Sequence, residues 1–335
     1  MTPLVVLGAA LIAFATALFT TPYVRRLALN VGMLDASGER RMHDQPKPRI
    51  GGIAVYLGFA FGLFSALGYL IRTSPRQLDN VHDVVGLIFG GTLILMVGIW
   101  DDVMTMTPRA KLLAQVVVAA ISMLYGFVIP PWITNPLHHG QTIFYPHGFE
   151  WLVFPLTLLW YVGMMNAINF IDGLDGLLSG VTVISATSLL VIDLNRGHAE
   201  IALVLAVLAG AALGFLRYNW NPAKIILGDS GALFIGYVFA TVSIIGVSKT
   251  AFAISLLVPL LVLALPVLDT AAAIVRRTRA GKKFYEADRG HFHHQLIFRF
   301  GLNVRQAVLL IYAVCLVLGV VAYLLTSGFV PLKFA

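Results

Sequence analysis

The sequence predicts an all-α polytopic membrane protein with about ten transmembrane helices. Composition is the first reason: 59% of the 335 residues are hydrophobic, 12% are charged, and mean hydropathy is +0.86. A soluble domain carries about 25% charged residues. Length is the second. A helix needs roughly 20 apolar residues to cross a hydrocarbon core of about 30 Å, and such runs recur along the whole chain. The third reason is the placement of positive charge. Alternate loops of a ten-span chain face opposite sides, and one set holds 18 of the 23 Lys and Arg residues. The positive-inside rule puts that set in the cytoplasm and both termini outside.

Taken in order, the run 3–24 is followed rather than preceded by basic residues, Arg25 and Arg26, so it reads as a retained helix and not a cleaved signal. The next loop carries Arg40, Arg41, Lys47 and Arg49 and turns at Gly51-Gly52 into the run 51–71. The short run 84–100 ends on Asp101-Asp102, and Arg109 and Lys111 stand at the start of the run 111–130. Pro130 to Phe149, with His138, His139 and several aromatics, reads as an interfacial cap on the other side. The runs 150–168 and 177–194 flank a polar cluster, and the run 199–216 leads to Arg217 and Lys224. Gly228-Asp229-Ser230-Gly231 opens the short run 231–248. The run 251–275 contains Asp269; Arg276, Arg277, Arg279, Lys282, Lys283, Arg289, Arg299 and Arg305 precede the last run, 306–327. The single Cys315 lies in that last run, so disulfides have no part. No room remains for a soluble domain, and residues 1–335 are expected to form one integral-membrane domain. The net charge of +7 resides in this loop asymmetry, not in a nucleic-acid-binding face.

The topology rests on Lys and Arg alone, yet it collects the unusual polar residues on the cytoplasmic side and predicts a site cleft there. The most informative stretch is Asn166–Gly180, NAINFIDGLDGLLSG. Asn166, Asn169, Asp172 and Asp175 recur every three residues, which predicts one shared face of a helix end or 3₁₀ turn. Such groups at a membrane boundary are costly to place, so they imply a ligand, a cation with something phosphorylated. Asp101 and Asp102 oppose the dipole of the helix they end, so something must compensate them, and Lys111 or Arg109 could. Adjacent carboxylates cannot point the same way on a helix, so each has its own task. Gly228-Asp229-Ser230-Gly231 fits an N-cap, with Asp229 or Ser230 accepting helix N–H groups, or a phosphate or Mg²⁺ seat.

His291, His293 and His294 cluster in the most basic loop beside Arg289, where they suit phosphate contact or merely solvation. Lys47 to Gly52 reads as a topology-setting basic loop or a cradle for an anionic lipid headgroup. Oxygen ligands without cysteine, next to basic residues, fit Mg²⁺ and phosphate better than zinc or iron. Phosphoryl transfer asks for little beyond alignment and charge neutralisation. No Gly-x-Ser-x-Gly elbow and no Walker A loop occurs, which disfavours serine hydrolysis and ATP-driven transport. A secondary transporter of a phosphorylated solute would place its groups near the midplane instead of crowding one surface.

The set Asp101-Asp102, Asn166 to Gly176, Asn221-Pro222-Ala223-Lys224 with Gly228 to Gly231, and His291 to His294 resembles the polyprenyl-phosphate N-acetylhexosamine-1-phosphate transferases, in order and over the full chain. Arg41-Met-His43 with Pro46–Gly52, and Asp269 with Arg276-Arg277, look like the branch using N-acetylglucosamine rather than phospho-N-acetylmuramoyl-pentapeptide. The resemblance implies this reaction at the cytoplasmic face of a bacterial plasma membrane: UDP-N-acetylglucosamine and undecaprenyl phosphate give undecaprenyl-diphospho-N-acetylglucosamine and UMP. This is the first membrane step of a surface polysaccharide or teichoic-acid linkage pathway. Another UDP-N-acetylhexosamine donor, or the phospho-N-acetylmuramoyl-pentapeptide donor, stays open. The cofactor implied is Mg²⁺, or Mn²⁺ in its place, and a homodimer is left open. Carried over by motif, Asp229 would ligate the metal with Asn169 beside it. Asn166, Asp172, Asp175, Asn219 and Gly228 would line the donor pocket. Asp101 and Asp102 would serve the attacking phosphate, His291, His293, His294 and Arg289 would face the diphosphate, and Lys47, Arg49 and Lys111 would dock the lipid phosphate. This branch usually shows eleven spans against the ten counted here.

Overall fold

The computed structural model describes residues 2–35, 46–73, 81–130, 132–134, 142–144, 148–249, 259–279 and 292–327. Its helices are α1 (Pro3–Val31), α2 (Gly52–Thr73), α3 (Val81–Met104), α4 (Pro108–Leu124), α5 (Val153–Ile171) and α6 (Leu177–Asn195). They continue with α7 (Ala199–Asn219), α8 (Gly228–Lys249), α9 (Ala264–Arg279), α10 (Phe292–Phe298) and α11 (Val304–Ser327). Among the described residues, α1, α2, α3, α5, α6, α7, α8 and α11 are long and apolar enough to cross a membrane. The protein is therefore an all-α polytopic membrane protein. The fourth expected span is shorter than its apolar run: α4 has 17 residues and stops at Tyr125 before Gly126, whose φ of +87° ends the helix. Residues 251–258 of the ninth expected run lie outside the described residues.

Two short antiparallel ribbons stand outside the helices. β1 (Leu34–Asp35) pairs with β2 (Lys47–Pro48), and β3 (Trp132–Thr134) with β4 (Thr142–Phe144). The second ribbon falls where the sequence predicts only an interfacial cap.

Burial ranks the helices. The apolar stretch of α8 is 89% buried and that of α7 78%, against 28% for α1 and α11, so α7 and α8 form the centre and α1 and α11 face lipid. α8 packs on α3, α5 and α2, while α7 packs on α1, α6 and α2. The buried aromatic residues of this centre pair their polar tips across helices: Tyr237 with Ser122 (3.0 Å), Tyr161 with Thr241 (2.9 Å), and Trp160 donating to Ser243 (2.8 Å). Such interhelical bonds fix helix register where hydrocarbon solvates the outside as well as protein does the inside. At the end of α8 that carries the polar motifs, a Cβ on Gly98 of α3 would fall on the backbone of Ser230. A glycine there lets α3 approach the first turn of α8 closely enough for side-chain bonds between them.

Candidate active site

Five helix ends and one extended segment build the site. The segment is Lys47 to Gly52. Pro48 O accepts from Ile226 N (3.0 Å), Arg49 N donates to Met33 O (3.0 Å), and Gly51 and Gly52 donate to Ile226 O (3.1 Å) and Leu227 O (2.9 Å). Ile50, buried at its centre, has φ +72°, an uncommon conformation for a β-branched residue and typical of over-determined functional segments. Its strand pairing holds Lys47 and Arg49 against the helix ends.

The charged groups then sort into three clusters. In the first, Asp229 at the start of α8 accepts from Lys111 Nζ (2.7 Å) and Asn169 Nδ2 (2.6 Å) on one oxygen and from Arg49 (3.2 Å) on the other. Lys111 also reaches Asp101 (2.8 Å) and Asn169 Oδ1 (3.2 Å). Asp101, in turn, accepts from Met106 N (2.7 Å) and so closes the turn between α3 and α4. In the second, Asp102 accepts the backbone N–H of Asp229 (2.9 Å) and Ser230 (3.0 Å), one on each oxygen, with Arg49 Nε 3.2 Å away. In the third, Asp175 is buried and accepts from Lys47 Nζ (2.7 Å), Asn221 Nδ2 (3.1 Å) and Ala223 N (2.9 Å).

This arrangement alters several expectations. The cap of α8 comes from Asp102 on α3, not from Asp229 or Ser230, and the carboxylate of Asp229 is left facing three cationic or amide donors. Gly228, at φ +76°, makes the approach possible: a Cβ there would stand 2.5 Å from Asp102 Oδ2. The four residues spaced by three do not share one face. α5 ends at Ile171, Asp172 is its C-cap, and Gly176 (φ +80°) reverses the chain into α6, so Asp175 turns to Lys47 while Asn169 faces Asp229. Asn166 lies back from the others, its amide N–H groups donated to Gln115 Oε1 (2.7 Å) and Val162 O (2.8 Å). Asn219 is buried and ties helix ends together: its Oδ1 accepts from Ser179 (2.8 Å) and Gly176 N (3.2 Å), and its Nδ2 donates to Ile225 O (3.0 Å). His291 and Arg289 lie outside the described residues, as does the side chain of His293; His294 sits in α10 with its ring 6.0 Å from that of Phe298.

Asp172 stands apart. Its side chain makes no hydrogen bond among the described residues. Burial, then the charges of Asp229 and Asp102, push its carboxyl up to about 8. Sequence reasoning missed Gln115, which has no motif around it, and did not assign Asp102 to a cap, because the capped helix lies 127 residues away.

Residues 84–247 match the family described as Glycosyl transferase family 4. The chain is 34% identical over 322 residues to the probable undecaprenyl-phosphate N-acetylglucosaminyl 1-phosphate transferase of Bacillus subtilis (strain 168), covering 95% of this chain and 84% of that one. It is 36% identical over 341 residues to the decaprenyl-phosphate N-acetylglucosaminephosphotransferase of Mycolicibacterium smegmatis, covering 96% and 80%. With the undecaprenyl-phosphate alpha-N-acetylglucosaminyl 1-phosphate transferase of Escherichia coli (strain K12), identity is 29% over 322 residues, covering 94% and 83%.

Proposed function

The chain belongs to glycosyl transferase family 4, and from that premise we propose that it transfers N-acetylglucosamine 1-phosphate from UDP-N-acetylglucosamine to undecaprenyl phosphate. A lipid phosphate oxygen forms a bond to the β-phosphorus of the donor, the bond from that phosphorus to the bridging oxygen breaks, and UMP leaves with the oxygen. The single observation that carries this reading is the convergence of Lys111, Arg49 and Asn169 on Asp229 at the start of α8. Cationic groups held in place by carboxylates suit a reaction whose demand is neutralisation of phosphate charge. The acceptor needs no general base: the second pKa of a phosphate monoester is about 6, so at neutral pH its oxygen is already ionised. That frees Asp101 and Asp102 for the tasks their bonds suggest, holding Lys111 and the start of α8. A route through an aspartyl-phosphate is less suited, because both of those carboxylates are already engaged.

Mg²⁺ belongs to this proposal. Among the described residues no three His, Cys, Asp or Glu groups converge to hold a metal alone. Mg²⁺ is usually held by one or two carboxylates plus substrate phosphates, and Asp229, with the amide oxygen of Asn169 and with Asp172, which makes no side-chain hydrogen bond among the described residues, fits that donor set. When bound, the ion neutralises charge on the transferring phosphoryl group. The site faces the cytoplasm of a bacterial plasma membrane by the charge asymmetry of the loops.

The test is incubation of the protein in sealed membrane vesicles with radiolabelled UDP-N-acetylglucosamine, undecaprenyl phosphate and Mg²⁺. Release of UMP with label in the lipid is the expected result; labelled nucleotide merely trapped inside vesicles overturns it. Movement of label from UMP into the donor without lipid acceptor would replace direct attack by the two-step route.

A further inference from the structure

One pair beneath the site, Gln115 buried and Asn166 half-buried, has no part in the chemistry above. Gln115 on α4 is fully buried, and its Oε1 accepts from Asn166 Nδ2 at 2.7 Å. Gln115 lies four residues beyond Lys111, and Asn166 three residues before Asn169, so each partner stands one helical turn below a site residue on the same face. Lys111–Asn169 and Gln115–Asn166 are thus successive rungs between α4 and α5. Asn166 is locked from the other side as well, since its second N–H goes to Val162 O. The neighbours of Gln115 in the chain are Leu112, Leu113, Ala114, Val116, Val117 and Val118, and its Nε2 is buried without a partner among the described residues. A leucine would pack there without that desolvation cost. An amide kept in an apolar helix interface, half satisfied, points to a function.

We propose that Gln115 is a positioning residue for the transfer reaction. It fixes the rotation and depth of α4 against α5, and so sets where the Lys111 ammonium stands between Asp229, Asp101 and Asn169. α4 is the shortest of the helices around the cluster; Ser122 ties its far end to Tyr237 of α8, and Gln115 is the directed bond one turn from Lys111. Packing of small and branched apolar groups tolerates sliding; a single directed hydrogen bond does not.

The proposal rests on the transferase reading, and its test separates the two. In Gln115→Met, matched in length but lacking the amide, kcat for UMP release should fall roughly tenfold or more, as small misplacements of catalytic groups do, with KM for the sugar nucleotide unchanged. Asn166→Leu should give a similar loss, and the double variant no greater one. A second measurement needs no activity: with Cys315→Ser, the pair Lys111→Cys and Asn169→Cys should oxidise to a disulfide faster with Gln115 present than with Gln115→Met. Wild-type kcat in Gln115→Met, losses that multiply in the double variant, or equal crosslinking rates each overturn the positioning role. Absence of UMP release from the wild type would instead sink the transferase reading, and the crosslinking comparison would still judge Gln115.

Discussion

Five aspartates look alike in the sequence, and their partners give them different work. Asp101 holds Lys111, Asp102 holds the start of α8, Asp175 clamps Lys47 to the loop at Asn221–Ala223, Asp229 collects three donors, and Asp172 collects none among the described residues. Asp229→Ala is expected to abolish turnover at every Mg²⁺ concentration; activity retained irrespective of Mg²⁺ would remove Asp229 from the site. Asp172 carries a pH signature. Its carboxyl sits at about 8 in the fold against an ordinary 3.8, so the folded state binds the proton more tightly than the unfolded one. Stability then declines as pH rises from about 4 to about 8 and levels above that. Asp172→Asn, neutral throughout, should melt above the wild type at pH 8.5 without Mg²⁺ and with it near pH 4. Thermal melts that stay parallel at both pH values would contradict the burial of that charge. The motifs mark these residues in the sequence, and the fold brings them to neighbouring helix ends. Their individual partners come from other helices, which spacing does not encode.

At the scale of elements, apolar run length located the long helices but not α10, which falls in the stretch read as a basic loop, and the ends of the helices had to be seen. Residues 126–130 continue the apolar run of α4, yet the backbone leaves the helix at Gly126. The first turn of α8 is capped from α3 rather than by its own Asp229 or Ser230. Asp102→Ala leaves two N–H groups without acceptors at a protein-enclosed helix start, a loss of about 1–3 kcal/mol. A lower melting temperature in detergent is expected, with Asp102→Asn in between because one acceptor remains. An unchanged melting temperature for Asp102→Ala would show that water or another group satisfies the helix end. Gly228→Ala should behave like Asp102→Ala, since its Cβ would crowd the same carboxylate.

For the whole molecule, the sided arrangement of charge has a direct check. In a Cys315→Ser background, a membrane-impermeant thiol reagent should label Arg109→Cys and Asn195→Cys from opposite sides of sealed vesicles, both positions being exposed. Labelling from one side would break the topology on which the cytoplasmic location rests. The sequence by itself determined a polytopic helical protein, its basic and less basic faces, and the convergence of polar motifs on one of them. These are properties of short stretches: about 20 apolar residues span a bilayer wherever they occur, and a loop's charge acts through the loop alone. Only the tertiary structure decided which carboxylate meets which cation. Lys47 finds Asp175 across 128 residues and Asp102 finds Asp229 across 127, and both pairs exist because helix packing brings distant ends to about 3 Å. Hydrogen bonds and ion pairs act over that distance and no further, so a role that depends on them belongs to the packed molecule.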